Sequence, residues 1–176
     1  MRASARAVHL LRCLVAGGVR ELVLAPGSRS APLAIAAYAA DVASALRLHV
    51  RVDERSAGFL ALGLAVGSRE PVAVVTTSGT AVANLLPSVM EACHSGRRVV
   101  VVSADRPAAL RGTGANQTTW QAGLFGRFAP CADLAVDASE ATVERAVRAA
   151  CEREGPSQLN VQLDAPLVPD AEPWWP

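Results

Sequence analysis

Apolar residues along this chain gather into short, nearly unbroken runs. "ELVLA" (21–25), "VAVVTT" (72–77) and "RRVVVVSA" (97–104) carry almost no alternation, the pattern of strands covered on both faces. Strands are predicted at 21–25, 48–52, 72–77, 98–103, 132–136 and 158–163, with helices at 3–15, 31–41, 55–66, 81–92 and 140–152 between them. This alternation implies an α/β fold: three α/β/α layers around a six-stranded, mostly parallel sheet with right-handed crossovers. The first helix is expected to stop at Gly17-Gly18, glycine being the usual residue just past a helix end. Residues 105–129 interrupt the rhythm. They are rich in Gly, Thr, Gln and Asn, with only a short helix predicted around 120–124, and so long a loop in a compact domain is usually functional or mobile. The tail "DAPLVPDAEPWWP" has four prolines and two adjacent tryptophans. It reads as the start of a linker, dividing the chain into a domain at 1–165 and a linker at 166–176, the beginning of a longer protein.

Composition narrows the chemistry. The formal charge is +1, too small for a nucleic-acid partner. All 17 basic residues are arginine and none is lysine. A Schiff-base lysine and a P-loop lysine are thereby excluded, and any bound anion must be held by arginine, backbone N–H groups or a metal. Cys13, Cys93, Cys131 and Cys151 show no CxxC spacing, and His9, His49 and His94 complete no zinc pattern. Arg12 interrupts the apolar stretch near the start, and no apolar run is long enough to span a bilayer. The expected location is cytoplasmic.

In open parallel sheets, ligands bind beyond the carboxyl ends of the strands. Four such ends carry unusual loops: "APGSRSAP", "DERSAG", "TTSGTAVAN" and "SADRP". Each can present backbone N–H groups near a helix start as an anion site, although PGS and SGT are also ordinary turn chemistry. Arg29 and Arg106 lie in two of these loops. They read either as surface charges or as a converging pair suited to carboxylate or phosphate. Asp53 and Glu54 close the second strand, and acids there are favoured by the helix dipole. From pattern alone, Glu54 is a helix-start residue or a reagent. "GTGANQ" does not follow the first strand, which disfavours a dinucleotide site.

Taken together, "APGSRSAPL", "HVRVDERSAGFLALGLA", "VAVVTTSGTAVANLLPSVMEA", "VVSADRP" and "GTGANQTT" closely resemble the pyrimidine-binding domain of the MenD family. These are thiamine-diphosphate-dependent synthases of menaquinone biosynthesis. The resemblance covers most of residues 1–165 and implies a strand order of 2-1-3-4-6-5. It implies that Glu54 hydrogen-bonds N1′ of the cofactor's aminopyrimidine and so promotes deprotonation of thiazolium C2, a catalytic as well as cofactor-binding role. Asp53 keeps the helix-cap role. Ser78, Gly79 and Thr80 are implied to line the pyrimidine end. Ser28, Arg29, Arg106, Asn116 and Gln117 are implied to face the substrates, 2-oxoglutarate and isochorismate, or their adducts.

The chain departs from the family pattern in having no GDG motif. By the resemblance, the diphosphate and its Mg2+ (or Mn2+) are bound by a further domain, and the active site is shared between subunits of a homodimer or homotetramer. The isolated chain is therefore expected to be inactive, with no metal ligand of its own. Two alternatives stand beside this reading: another thiamine-diphosphate enzyme of the acetohydroxyacid-synthase kind, and a non-catalytic binding module of the same fold.

Overall fold

A computed structural model of the chain describes residues 2–168. Its elements run α1 (Ala3–Ala16), β1 (Glu21–Leu24), α2 (Ala31–Val42), β2 (Arg47–Val50), α3 (Glu54–Ser68), β3 (Val72–Thr76), α4 (Thr80–Ala83), α5 (Leu86–His94), β4 (Val99–Asp105), β5 (Cys131–Leu134), α6 (Glu140–Glu152) and β6 (Ser157–Gln162). The six strands form one sheet in the order β2-β1-β3-β4-β6-β5, every pair parallel. The three-layer architecture and strand order read from the sequence are those observed. The linker expected at 166–176 falls largely on residues 169–176, which lie outside the described residues.

The apolar runs have their cause in the two covered faces. Leu22, Leu24, Ala73, Val75, Val100 and Val102 pack under α1, α2 and α6. The intervening Val23, Val72, Val74, Val99 and Val101 pack under α3 and α5 with Phe125 and Ala129 of the long loop. Helix α1 ends in a Schellman motif: the Val19 amide donates to Leu14 O and the Gly18 amide to Val15 O, with Gly18 at φ 94°. Among the described residues, no helix is long and apolar enough to cross a membrane.

Two expected elements differ. The helix expected at 81–92 is broken into α4 and α5. Pro87, at the start of α5, has no N–H to continue the ladder, and its ring would crowd the carbonyl four residues earlier. The short helix expected at 120–124 is a set of turns followed by a 3-10 turn at Gly126–Phe128, because Gly123 and Gly126 both take positive φ.

Residues 106–130 replace a helix over part of one face, and the sheet beneath is polar. Thr76, Ser103, Asn160 and Asp133 stand at one level across β3, β4, β6 and β5. Irregular backbone cannot satisfy its own N–H and C=O groups, so the strands supply partners. Gln158 Oε1 accepts from the Gly123 amide and Gln162 Oε1 from the Ala108 amide.

Candidate active site

Strand order reverses direction between β1 and β3, which opens a crevice at their carboxyl ends. The loops at this switch point are pressed together. A Cβ on Gly27 would lie 2.5 Å from Thr77 Cβ and 2.8 Å from its Oγ1. Ser30 Oγ donates to Gly27 O at 3.1 Å, which closes the turn that carries Ser28 and Arg29.

Three of the expected site residues form one bonded cluster, against which Gly79 packs. Arg106 Nη1 donates to Ser78 Oγ (2.8 Å) and to Gln117 O (3.0 Å). Ser78 Oγ donates to Gln117 O, and Gln117 Nε2 returns a bond to Ser78 O, both at 2.9 Å. Gln117 takes the left-handed conformation (φ 52°), which brings its side chain over Gly79. There a Cβ would lie 2.8 Å from Gln117 Cγ, and with φ 82° as well Gly79 has no room for a side chain. Arg106 keeps Nε and Nη2 without partners among the described residues, the fork that meets a carboxylate.

Arg29 reaches from the β1 loop across the sheet to the end of β6, where Nη1 donates to Leu163 O at 3.0 Å. Its Nε is buried with no partner. Burial, and next the Arg106 charge, push the Arg29 guanidinium below its ordinary value, with Asp164 and Asp105 only partly offsetting them. The two cations are near enough for each to act on the other's charge, and the Asp105 side chain is engaged elsewhere. Its Oδ2 is held by Arg111 at 2.7 Å and by Asn160 at 2.9 Å.

Glu54 is the first residue of α3, half-buried, and its carboxylate has no partner among the described residues. Asp53 caps the helix, accepting from the Ser56 amide and hydroxyl at 2.8 Å each; those bonds hold its carboxyl below the usual range. Glu54 is thus not the cap. It is bonded to none of the other site residues, nor are Ser28, Asn116 and Thr80, all exposed at the rim.

The structure corrects the expectation that every loop offers amides to an anion. At α3 the Ser56 amide of the first turn meets the Asp53 carboxylate. At α4 the Gly79 amide donates 2.8 Å to the buried Gln121 Oε1, and the helix is only four residues long. Arg29 and Arg106 remain as cations with N–H groups that have no partner among the described residues. Sequence reasoning missed Gln121, Arg111, Asp133 and Asn160. The available signal was "QLNVQ" in β6, whose alternating polar residues are all buried and must each find a partner. Among the described residues, no group of three or more His, Cys, Asp or Glu side chains can hold a metal ion.

Over residues 6–124 the chain matches the family described as thiamine pyrophosphate enzyme, N-terminal TPP binding domain. It is 55% identical over 174 residues to a protein of Nocardioides sp., covering 99% of this chain and 30% of that protein. It is 58% identical over 164 residues to one of Paenarthrobacter aurescens, covering 89% and 29%. It is 51% identical over 177 residues to one of Mycobacterium leprae, covering 91% and 32%. All three are named 2-succinyl-5-enolpyruvyl-6-hydroxy-3-cyclohexene-1-carboxylate synthase, and this chain spans about 30% of the length of such relatives. A parallel sheet with Glu54 at a strand end and a match over most of its length agree: the chain belongs to the family of thiamine pyrophosphate enzyme N-terminal TPP-binding domains.

Proposed function

We propose that this chain supplies the pyrimidine-binding half of the active site of a 2-succinyl-5-enolpyruvyl-6-hydroxy-3-cyclohexene-1-carboxylate synthase. That enzyme decarboxylates 2-oxoglutarate and joins the succinyl unit to isochorismate in menaquinone biosynthesis. The observation that carries the substrate class is the Arg29–Arg106 pair. The two guanidinium groups repel each other, keep unpartnered donors, and leave the nearby Asp105 carboxylate to Arg111. Such a pair fits acids with more than one carboxylate.

The residues present fit thiamine diphosphate. Glu54 offers an unpartnered carboxylate at a half-buried strand end, and the loops of Gly27 and Gly79 come too close to others to carry side chains. Bound there, the cofactor supplies a carbon acid and an electron sink for decarboxylation and carbon–carbon bond formation. Glu54 holds a proton between its carboxylate and a pyrimidine nitrogen, as a general acid–base group does. Ser78, Gly79 and Thr80 border the pyrimidine. Ser28, Asn116 and the remaining amide donor of Gln117 orient the acids, and Arg29 and Arg106 neutralise them. Mg2+ or Mn2+ is bound with the diphosphate outside these residues, and the site is completed by a partner subunit in a homodimer or homotetramer in the cytoplasm.

The test is product formation from 2-oxoglutarate and isochorismate by the complete synthase, with pyruvate as competing donor. Arg29→Ala or Arg106→Ala each removes charge-assisted bonds worth about 1.5–3 kcal/mol. The expected outcome is a 10- to 100-fold rise (about, by the same conversion) in KM for one of the acids, with cofactor affinity little changed. Wild-type kinetics in both variants, or preference for pyruvate, would overturn the reading.

A further inference from the structure

We infer that Gln121 is a positioning residue for the anion-binding face of this site, an inference that rests on the function proposed above. Gln121 is fully buried and lies in the long loop. Its amide is saturated. Oε1 accepts from the Gly79 amide at 2.8 Å, and Nε2 donates to Ala104 O at 3.0 Å and to Asn160 Oδ1 at 2.8 Å. The orientation is forced, because an amide N–H only donates and a carbonyl only accepts.

Asn160 is equally constrained. Its Nδ2 donates to Asp105 Oδ2 (2.9 Å) and Asp133 Oδ1 (2.8 Å), and its Oδ1 also accepts from Ser103 Oγ at 3.0 Å. The bonds therefore run in one direction, from Gly79 N–H through Gln121 and Asn160 to two carboxylates. In a buried chain of this kind each bond polarises the next, and the carboxylates make Gln121 Oε1 a stronger acceptor for Gly79.

The far end of the chain meets the site. Gly79 follows Ser78, whose hydroxyl accepts from Arg106 Nη1 and whose carbonyl accepts from Gln117. Ala104 O, the other group Gln121 holds, is two residues from Arg106. One buried amide thus fixes both strands that carry the arginine and its hydroxyl partner. Glu54 stands on α3, outside this chain of bonds. Gln121 therefore acts first on the groups that hold the acids, and reaches the pyrimidine only through Gly79.

The test uses the complete synthase carrying Gln121→Met or Gln121→Glu, with three readouts. These are amide hydrogen exchange of the segment 78–82 without cofactor, deuterium exchange at thiazolium C2, and KM for each acid. In Gln121→Met the segment is expected to lose protection and kcat/KM for one acid to fall about 10²-fold, the effect of a misplacement near 1 Å, while C2 exchange falls by clearly less, because Glu54 keeps its place on α3. Gln121→Glu keeps the shape. As a buried acid it can donate only when protonated, so its KM should approach wild type at low pH and depart from it as pH rises. Wild-type protection and KM in Gln121→Met would overturn the inference, as would loss of C2 exchange in step with KM in both variants. If Gln121→Met fails to fold, the pH profile of Gln121→Glu decides, a flat profile counting against. A wild-type synthase unable to use the two acids would instead overturn the proposed function, and the protection of 78–82 would still judge Gln121.

Discussion

Replacing Gly27 with alanine tests how tightly the switch-point loops are set. The added Cβ would meet Thr77 Cβ at 2.5 Å, Cγ2 at 2.6 Å and Oγ1 at 2.8 Å, where carbon contacts settle at about 3.5–4.0 Å. Relief therefore needs a displacement of about 1 Å. Thr77 cannot readily provide it. It is 7% exposed at the end of β3, a strand paired on both sides. The β1 loop must move, taking Ser28 and Arg29 with it. Overpacking of this kind costs about 1–3 kcal/mol, and a 1 Å shift of a positioning group costs about 10²-fold in rate. Steady-state kinetics of Gly27→Ala in the complete synthase should show that loss in kcat/KM, together with a lower melting temperature. Gly27→Ala/Thr77→Gly, which removes the obstructing atoms, should recover most of the kinetic loss. Wild-type kinetics in the single variant, or no recovery in the double one, would show that the contact does not set the position of Arg29.

Other outcomes follow from separate features. Glu54→Gln should slow C2 deuterium exchange about 10²–10⁴-fold with an almost unchanged melt, since Asp53 provides the helix cap; a lower melt with normal exchange would restore a merely structural role. Asp133 is held below the usual carboxylate range: burial opposes this, but bonds from Arg111, Asn160 and Gln162 outweigh it. Its stabilising effect is complete above the unfolded value near 4 and is lost as pH falls through the lower folded value, so urea melts of Asp133→Asn between pH 6 and 3 should show a shallower acid loss than wild type. Gly58→Ala should destabilise the α3–α5 contact by about 1–3 kcal/mol, because its Cβ would overlap Ser88 Oγ, at 2.2 Å; a denaturant midpoint equal to wild type would show that the helices part without cost.

The core strands were legible because a strand covered on both faces leaves little choice of side chain, and "VAVVTT" and "VVVV" show it directly. The break between α4 and α5 was harder to see. Ala81, Val82, Leu85, Val89 and Ala92 are all buried and keep a helical spacing through it, so the periodicity hides Pro87. Arg29 and Arg106 could be placed because loop arginines at parallel strand ends have few other destinations. Asn160 and Gln121 could not. A polar residue every second position in β6 looks like a strand with one wet face, and only the long loop lying over it turns those amides into internal partners. Asp105 has the same explanation: its neighbour Arg106 is the obvious ion partner by sequence, yet the fold gives it Arg111, six residues on.

Arg6 sets a condition on how the protein is made. Its guanidinium, 1% exposed, donates to the carbonyls of Ala135, Val136 and Ala138 at 2.6–2.9 Å. Among the described residues, strand β5 in turn pairs only with β6, which follows it in the chain by more than twenty residues. While residues 157–162 are still unsynthesised, β5 has no neighbour to join, the carbonyls that receive Arg6 have no fixed position, and β4 presents an open parallel edge. The docking of Arg6 and the pairing of β5 with β6 therefore settle together. A nascent chain stalled before β6 is exposed to pairing with other chains along that edge, so the stretch of translation between β5 and β6 is a vulnerable interval in the making of this sheet.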